Sequence, residues 1–357
     1  MTLASDKDKK ETLSRFLKAK KMNEKPNQFK KRKKRAKDHH SRTHRIAKAV
    51  RYFIGLRMIK LLFSLPSFFP LAWVLSLSKT IVKIGSPFAG EYRRQALENL
   101  KLYYGKEKSS AEIKKMAEEV GVEATKGAFE TIYSVSPRKE EIYSTITIEG
   151  KEHLDAALSK GKGVIALSAH LGNFAVMRGK LISEGYPFYL LIKLPRDPGI
   201  SQYFKTKMEQ YNLKFILADP ATVSQKEILR TLRRNEIVCL IVDGDQKIGG
   251  VPVVLMGQEI AMPPGPAILA RRTGATVLPM FIIRHKDNSQ KIIIEPPVDL
   301  IEDEEQDKAV ALLCQKFATI IETNIKKYPT QWYWINKKHK SHRLKSRQKK
   351  MSAPRYF

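Results

Sequence analysis

The feature that most constrains the fold of this chain is an alternation of short apolar runs and amphipathic stretches that begins at about Ile146. Each apolar run has the length and composition of a buried strand. The predicted strands are 163–169, 187–193, 214–218, 236–242 and 275–283. The predicted helices between and after them are 174–184, 200–211, 222–234, 266–273 and 304–327. Strands that alternate with helices favour an α/β fold with a largely parallel central sheet flanked by helices.

Two further helices are predicted before the sheet. Residues 91–105 and 109–134 carry apolar side chains at spacings of three and four, which is the period of an amphipathic helix. Ser109 and Ser110, followed by Glu112, have the pattern of a helix start.

An uncharged segment of 18 residues, Leu61–Ser78, precedes these helices and is flanked by lysines and an arginine. It barely has the length to cross a bilayer core, and Pro66 and Pro70 would interrupt a straight helix. Three interpretations stay open: a kinked or single-pass transmembrane anchor, a helical hairpin in the membrane interface, and a buried core helix. The neighbouring basic residues favour membrane contact.

Both ends of the chain are strongly basic. The formal net charge is +30, of which residues 1–50 carry +13 and residues 337–357 carry +9. Such tails favour binding to a polyanion. The candidates are an anionic membrane face, an acidic protein and nucleic acid. The predicted organisation is a basic, disordered tail at 1–49, a membrane-associated segment at 50–85, an enzyme domain at 86–336 and a basic tail at 337–357.

The two cysteines, Cys239 and Cys314, stand in apolar surroundings. They are predicted to be buried thiols in a reducing compartment. No Cys/His spacing typical of a metal site occurs in the sequence, so neither a metal nor another cofactor is expected.

Polar side chains follow three of the predicted strands. His170 follows the first strand, Lys193 and Arg196 follow the second, and Asp243 and Asp245 follow the fourth. Because ligands bind at the carboxyl ends of strands in an open α/β sheet, we expect these residues to share one edge. A base, carboxylates and groups able to clamp a phosphate would then meet there.

His170 is the strongest catalytic candidate among these residues. Gly172 and Asn173 follow it directly, and Asn173 suits the N-cap of the next helix. The N–H groups of that helix start could stabilise an oxyanion while the imidazole takes a proton from a hydroxyl.

Four sequence blocks follow one another along the chain, at 93–105, 168–174 (SAHLGNF), 244–281 and 331–340 (QWYWINKKHK). Together they resemble the lipid A biosynthesis (late, or lauroyl) acyltransferases, relatives of the glycerol-phosphate and lysophospholipid acyltransferases. The block at 168–174 is similar to the active-site block of that family, and Met256-Gly257 stands at the family's turn in the third block. The resemblance covers about residues 50 to 340.

The resemblance implies that a fatty acyl group moves from a thioester of acyl carrier protein or coenzyme A to a hydroxyl of a lipid. The acceptor would be a lipid A precursor or a related (lyso)lipid. The reaction would take place at the cytoplasmic face of the inner membrane. His170 would be the general base, partnered by Asp243 or Asp245, with Gly172, Asn173, Lys193 and Arg196 binding substrate. Of Trp332 and Trp334, we expect one in the core and the other at the membrane interface.

The sequence departs from the family at one important position. The family pattern places an acid five residues after the histidine, where this chain has Ala175. Either a carboxylate from another strand, Asp243 or Asp245, takes the role, or His170 works without a partner, or the protein binds lipid without acylating it.

Binding to nucleic acid is the remaining alternative. It rests on the basic tails alone, because the middle of the chain contains no recognisable nucleic-acid-binding module. The sequence therefore favours lipid and anionic membrane over nucleic acid as partners.

Overall fold

The computed structural model describes residues 50, 52–85, 89–195, 197–246, 248–301 and 305–335. The chain divides into two units, residues 1–58 and 59–357. In the first unit, the described residues 50 and 52–58 are helical. The basic tails predicted at 1–49 and 337–357 lie outside the described residues.

The second unit contains the helices and strands that carry the site. Its helices are α1 (59–68), α2 (Leu71–Gly85), α3 (Gly90–Tyr104), α4 (Ser110–Ser134), α5 (Glu140–Tyr143), α6 (Lys151–Ser159), α7 (Phe174–Ser183), α8 (Pro198–Gln210), α9 (Ala221–Arg233), α10 (Gly265–Thr273) and α11 (Gln306–Lys327). Its strands are β1 (Ile146–Glu149), β2 (Val164–Ser168), β3 (Phe188–Ile192), β4 (Phe215–Leu217), β5 (Ile237–Ile241), β6 (Val251–Leu255), β7 (Gln258–Met262), β8 (Thr276–Arg284) and β9 (Gln290–Ile294).

Within the described residues, the central sheet has seven strands in the order β1-β9-β8-β2-β5-β3-β4. The strands from β8 to β4 are mutually parallel, whereas β9 runs antiparallel to β8 and β1 runs parallel to β9. The prediction of an α/β fold with a largely parallel sheet and flanking helices is confirmed. Strands β6 and β7 form a separate hairpin that the sequence did not predict.

Both faces of the sheet are covered, which explains the continuous apolar runs. Along β2, Ile165 and Leu167 belong to one buried cluster, and Val164 and Ala166 belong to the other. Successive side chains of a strand point to opposite faces, so a strand buried on both faces needs apolar residues at every position. Helices α3, α10 and α11 contribute to the first cluster, and helices α2, α6 and α7 contribute to the second.

The uncharged segment forms two short helices, α1 and α2, which are separated at Phe69-Pro70. The break occurs at Pro70, while Pro66 lies within α1. Tyr133 donates its hydroxyl hydrogen to the carbonyl of Phe69 at 2.6 Å, and the N–H of Leu71 donates to a carboxylate oxygen of Glu141 at 2.7 Å. These bonds satisfy backbone groups that the break would otherwise leave unpaired.

One side of α2 is buried and the other is exposed. Leu71, Val74, Leu75 and Ser78 are buried, whereas Trp73 is 65% exposed. Among the described helices, none combines the length and the apolar composition needed to cross a membrane.

The prediction of two buried thiols is confirmed. Cys239 lies in β5 and Cys314 in α11, and neither forms a disulfide. Burial raises the pKa of both thiols to about 12, so both stay protonated and unreactive at neutral pH.

Candidate functional site

His170 lies two residues beyond the carboxyl end of β2. Strands β2, β5 and β3 are parallel neighbours, so their carboxyl ends share one edge of the sheet. At that edge, Nδ1 of His170 is 2.6 Å from Oδ1 of Asp243, which follows β5. The backbone N–H of His170 donates to Oδ2 of the same carboxylate at 3.0 Å. A carboxylate from the neighbouring strand therefore lies beside the imidazole, although position 175 is Ala175.

The carboxylate of Asp243 is wholly buried, with 0% of its surface exposed. Besides the two groups of His170, the indole Nε1–H of Trp332 donates to Oδ2 at 2.7 Å. These donors satisfy a polar group that would be costly to bury unpaired. Since Oδ1 can only accept, Nδ1 carries the hydrogen in the neutral imidazole, and Nε2 becomes the nitrogen that can take a proton.

The residues around Trp332 run antiparallel beside the loop that holds His170. Leu171 and Trp332 form a β-bridge, the N–H of Tyr333 donates to the carbonyl of His170 at 2.9 Å, and the N–H of Gly172 donates to the carbonyl of Gln331 at 3.0 Å. The expectation that one tryptophan lies at a membrane interface is wrong. Trp332 and Trp334 are 2% and 1% exposed, because their rings pack together in the core at 4.6 Å between centroids.

The imidazole of His170 is open on one side, and its side chain is 34% exposed. The ring of Phe174 meets it edge-on at 5.8 Å, and the ring of Tyr333 lies 6.3 Å away at a tilt of 32°. Tyr333 is 40% exposed. Two aromatic rings thus lie next to the imidazole.

Gly172 and Asn173 shape the turn after His170. Gly172 has φ +67, and a Cβ there would lie 1.7 Å from the carbonyl oxygen of Ile282, so no larger residue fits. Oδ1 of Asn173 caps α7 by accepting the N–H of Val176 at 3.3 Å. Nδ2 of Asn173 donates to the carbonyl of Gly127 at 2.9 Å, so this side chain is directed into the protein. Binding of substrate by Gly172 and Asn173 stays a prediction.

The replacement Gly172→Ala is expected to destabilise the fold by more than about 3 kcal/mol, because it adds an overlap to the strain of a positive φ. Gly161→Ala is a matched control, since Gly161 has φ +71 but nothing within 4 Å of its Cβ position. Only the strain, about 1 kcal/mol, should remain there. Urea unfolding of the two variants measures the difference, and equal losses would contradict the overlap.

The other residues predicted from the sequence have different surroundings. Asp245 accepts the N–H of Ala261 at 3.2 Å and so anchors β7; among the described contacts it has none with His170. Lys193 pairs with Asp219 at 2.8 Å, and both side chains are about two-thirds exposed. Arg196 lies outside the described residues. The described residues also include no group of three His, Cys, Asp or Glu side chains placed to hold a metal ion.

Sequence reasoning missed the contribution of Trp332 to this site. Its hydrogen bond to Asp243 joins residues that are 89 positions apart. The only available signal was the aromatic block at 331–334, whose order of residues gives no direction for the indole N–H.

Comparison with known proteins adds a second line of observation. The family model for bacterial lipid A biosynthesis acyltransferases matches residues 38–341. A phosphatidylinositol mannoside acyltransferase of Mycobacterium tuberculosis (strain ATCC 25618 / H37Rv) is 28% identical over 189 residues, which cover 53% of this chain and 58% of the relative. That of Mycolicibacterium smegmatis is 26% identical over 188 residues, covering 52% and 59%. The chain therefore spans just over half the length of these relatives.

Proposed function

This chain belongs to the bacterial lipid A biosynthesis acyltransferase family, and on that premise we propose that it transfers a fatty acyl group from a thioester to a hydroxyl of a lipid, with His170 as the general base. One observation carries the proposal, namely the 2.6 Å contact between the partly exposed imidazole of His170 and the buried carboxylate of Asp243. A base held in one tautomer by a buried acid is suited to removing a hydroxyl proton.

The proposed reaction passes through a tetrahedral intermediate. The acceptor hydroxyl approaches Nε2 of His170, and as its oxygen attacks the thioester carbonyl carbon, its proton moves to Nε2. The tetrahedral intermediate carries a negative oxygen, and the imidazolium is stabilised by Asp243. When the carbon–sulfur bond breaks, the carbonyl re-forms and the departing thiolate takes the proton from Nε2. The products are the acyl ester of the lipid and the free thiol, and His170 is again neutral.

We propose that the start of α7 assists this sequence of steps. The helix begins at Phe174, four residues after His170, with Asn173 as its cap. The first N–H groups of a helix point outward and carry partial positive charge, so they favour an oxyanion nearby. Lys193 and Arg196 follow strand β3, which lies next to β5, and would bind a phosphate of the donor or of the acceptor.

The donor is proposed to be a thioester of acyl carrier protein or of coenzyme A. The acceptor is proposed to be a lipid A precursor or a related (lyso)lipid. The relatives are named phosphatidylinositol mannoside acyltransferases, which adds mannosylated phosphoinositides to the acceptors to be tried.

We place the reaction at the cytoplasmic face of the inner membrane. The support is a set of exposed apolar side chains on α1, α2 and the break between them. They are Leu61, Phe68, Phe69, Trp73, Leu77, Ile81 and Ile84. An exposed apolar surface of this kind, beside basic residues such as Lys79 and Lys83, fits the interface of an anionic bilayer.

The double replacement Phe68→Glu/Trp73→Glu should weaken binding to vesicles of anionic phospholipid by at least about tenfold, because it puts two carboxylates where apolar rings would meet lipid. The two side chains are 72% and 65% exposed, so folding should persist. Val254→Glu is the control, since Val254 is 51% exposed but lies in β6. Vesicle flotation measures binding, and an equal loss in the control would count against this surface.

Acyl transfer itself is the test of the proposed function. Membranes containing the protein would be incubated with radiolabelled acyl thioesters of carrier protein and of coenzyme A, each with a panel of lysophospholipids, lipid A precursors and mannosylated phosphoinositides. A labelled lipid that forms only in membranes containing the protein supports the proposal. If it forms with only one of the two thioesters, that thioester is identified as the donor.

A lipid-binding protein without activity on the same fold is the second candidate. Its only motivation is Ala175, and the position of Asp243 beside His170 favours the enzyme instead. Saturable binding of acyl carrier protein without turnover on any acceptor would reverse this preference.

A further inference from the structure

Arg284, the last residue of β8, is a buried cation held by two acids of α4. It is 8% exposed, and Glu130 is 0% exposed. Nε of Arg284 donates to Glu123 at 2.7 Å, and both terminal nitrogens donate to Glu130, one of them at 2.8 Å. This bidentate contact with Glu130 fixes the orientation of the guanidinium plane relative to α4.

From Glu130 the contacts continue to the loop of His170. Nδ2 of Asn173 donates to Oε2 of Glu130 at 3.3 Å, and the hydroxyl of Thr131 donates to Oδ1 of Asn173 at 3.2 Å. Asn173 is three residues beyond His170 and caps α7. The carboxylate of Glu130 therefore links Arg284 to the residue at which the loop becomes a helix.

A second set of contacts leaves the backbone of Arg284. Its N–H donates to Oε1 of Gln331 at 2.8 Å, and its carbonyl accepts from Nε2 of Gln331 at 2.7 Å. The carbonyl of Gln331 in turn accepts the N–H of Gly172 at 3.0 Å. The next residue along the chain is Trp332, which donates to Asp243. Arg284 is thus connected to both sides of the loop 170–173.

A buried ion pair is a weak source of net stability, because the cost of removing the charges from water offsets most of their attraction. The geometric effect of this ion pair and of Gln331 is clearer. Their two sets of contacts reach Gly172 and Asn173, which follow the base His170, and Trp332, which donates to Asp243. Resting on the proposed function, we propose that Arg284 is a positioning residue, which with Glu130 and Gln331 fixes the alignment of His170 with Asp243.

Two replacements test this role. Arg284→Lys keeps the charge but cannot form the planar fork, and Gln331→Met keeps the size but loses the amide contacts. Each should lower kcat by about tenfold while KM for the donor stays within about twofold, because misalignment affects the reacting geometry more than binding. Each should also broaden or remove the low-field proton resonance of the His170 Nδ1–Asp243 hydrogen bond, measured on protein with labelled histidine.

The matched control is Arg178→Lys. Arg178 is also buried, at 3% exposed, and its guanidinium donates to the carbonyl of Lys214 at 2.9 Å and lies over Phe215. This variant should lose thermal stability yet keep kcat and the resonance of His170. The proposal is overturned if Arg284→Lys and Gln331→Met keep both readouts, or if Arg178→Lys loses them equally. The resonance needs no turnover, so an inactive wild type would refute the proposed function and still leave the positioning role measurable.

Discussion

Replacing His170 with alanine is expected to lower kcat/KM for acyl transfer by about a thousandfold, within the range of about 10²–10⁴ that a positioned general base contributes. Without Nε2 the acceptor hydroxyl must attack while it still holds its proton, and the departing thiolate has no proton donor. The replacement also removes the donor to Oδ1 of the buried Asp243, so the free energy of unfolding should fall by about 1–3 kcal/mol while the protein still folds.

His153→Ala is the matched control for this prediction. His153 lies in α6, away from the carboxyl edge of the sheet, and is half-buried. It should retain the wild-type rate in the same radiolabelled assay. A His170→Ala protein that folds and transfers acyl groups at the wild-type rate would remove His170 as the base and with it the proposed chemistry.

The second large effect is expected for Asp243→Asn, with a loss of kcat of about a thousandfold, because an amide presents a donor to Nδ1 and so favours the wrong tautomer. The replacement keeps the size of the side chain and an oxygen that can accept from Trp332. KM for donor and acceptor should stay near the wild-type values, since Asp243 is wholly buried and does not contact solvent.

Asp245→Asn distinguishes the two carboxylates of this loop. Asp245 accepts the N–H of Ala261, and an asparagine oxygen can do the same, so this variant should keep most of its activity. The double variant His170→Ala/Asp243→Asn should be no slower than His170→Ala alone, because the acid acts through the base. Additive losses, or a larger loss in Asp245→Asn than in Asp243→Asn, would contradict the assignment.

Much of this fold could be predicted from the sequence because the signals are local. A strand buried on both faces requires an unbroken apolar run, and β2, β5 and β8 have one; a capping box at Ser109 and Glu112 marks the start of α4. The strands β6, β7 and β9 were harder to detect. In β9 and in the β6–β7 hairpin, buried and less buried positions alternate, which gives short half-polar patterns.

The candidate site was predictable in part for the same reason. Parallel strands end at one edge, so the sequence predicts that His170 and Asp243 lie near each other, but the turn after β5 decides which carboxylate contacts the imidazole. Asp243 and Asp245 differ by two residues in sequence, and only the turn after β5 separates their environments. The contacts of Trp332 and Arg284 depend on side-chain direction across long separations, and no local pattern encodes that direction.

The hydrogen bond from Trp332 to Asp243 also affects the order in which the contacts of the site can form during synthesis. Ribosomes make the chain from its amino terminus, so His170 and Asp243 emerge well before the indole, which follows Asp243 by 89 residues. Until that segment has emerged, the carboxylate lacks one of its donors and the loop of His170 lacks its antiparallel neighbour. A nascent chain halted after β8 would therefore hold a base and an acid whose contact lacks the support of the indole of Trp332.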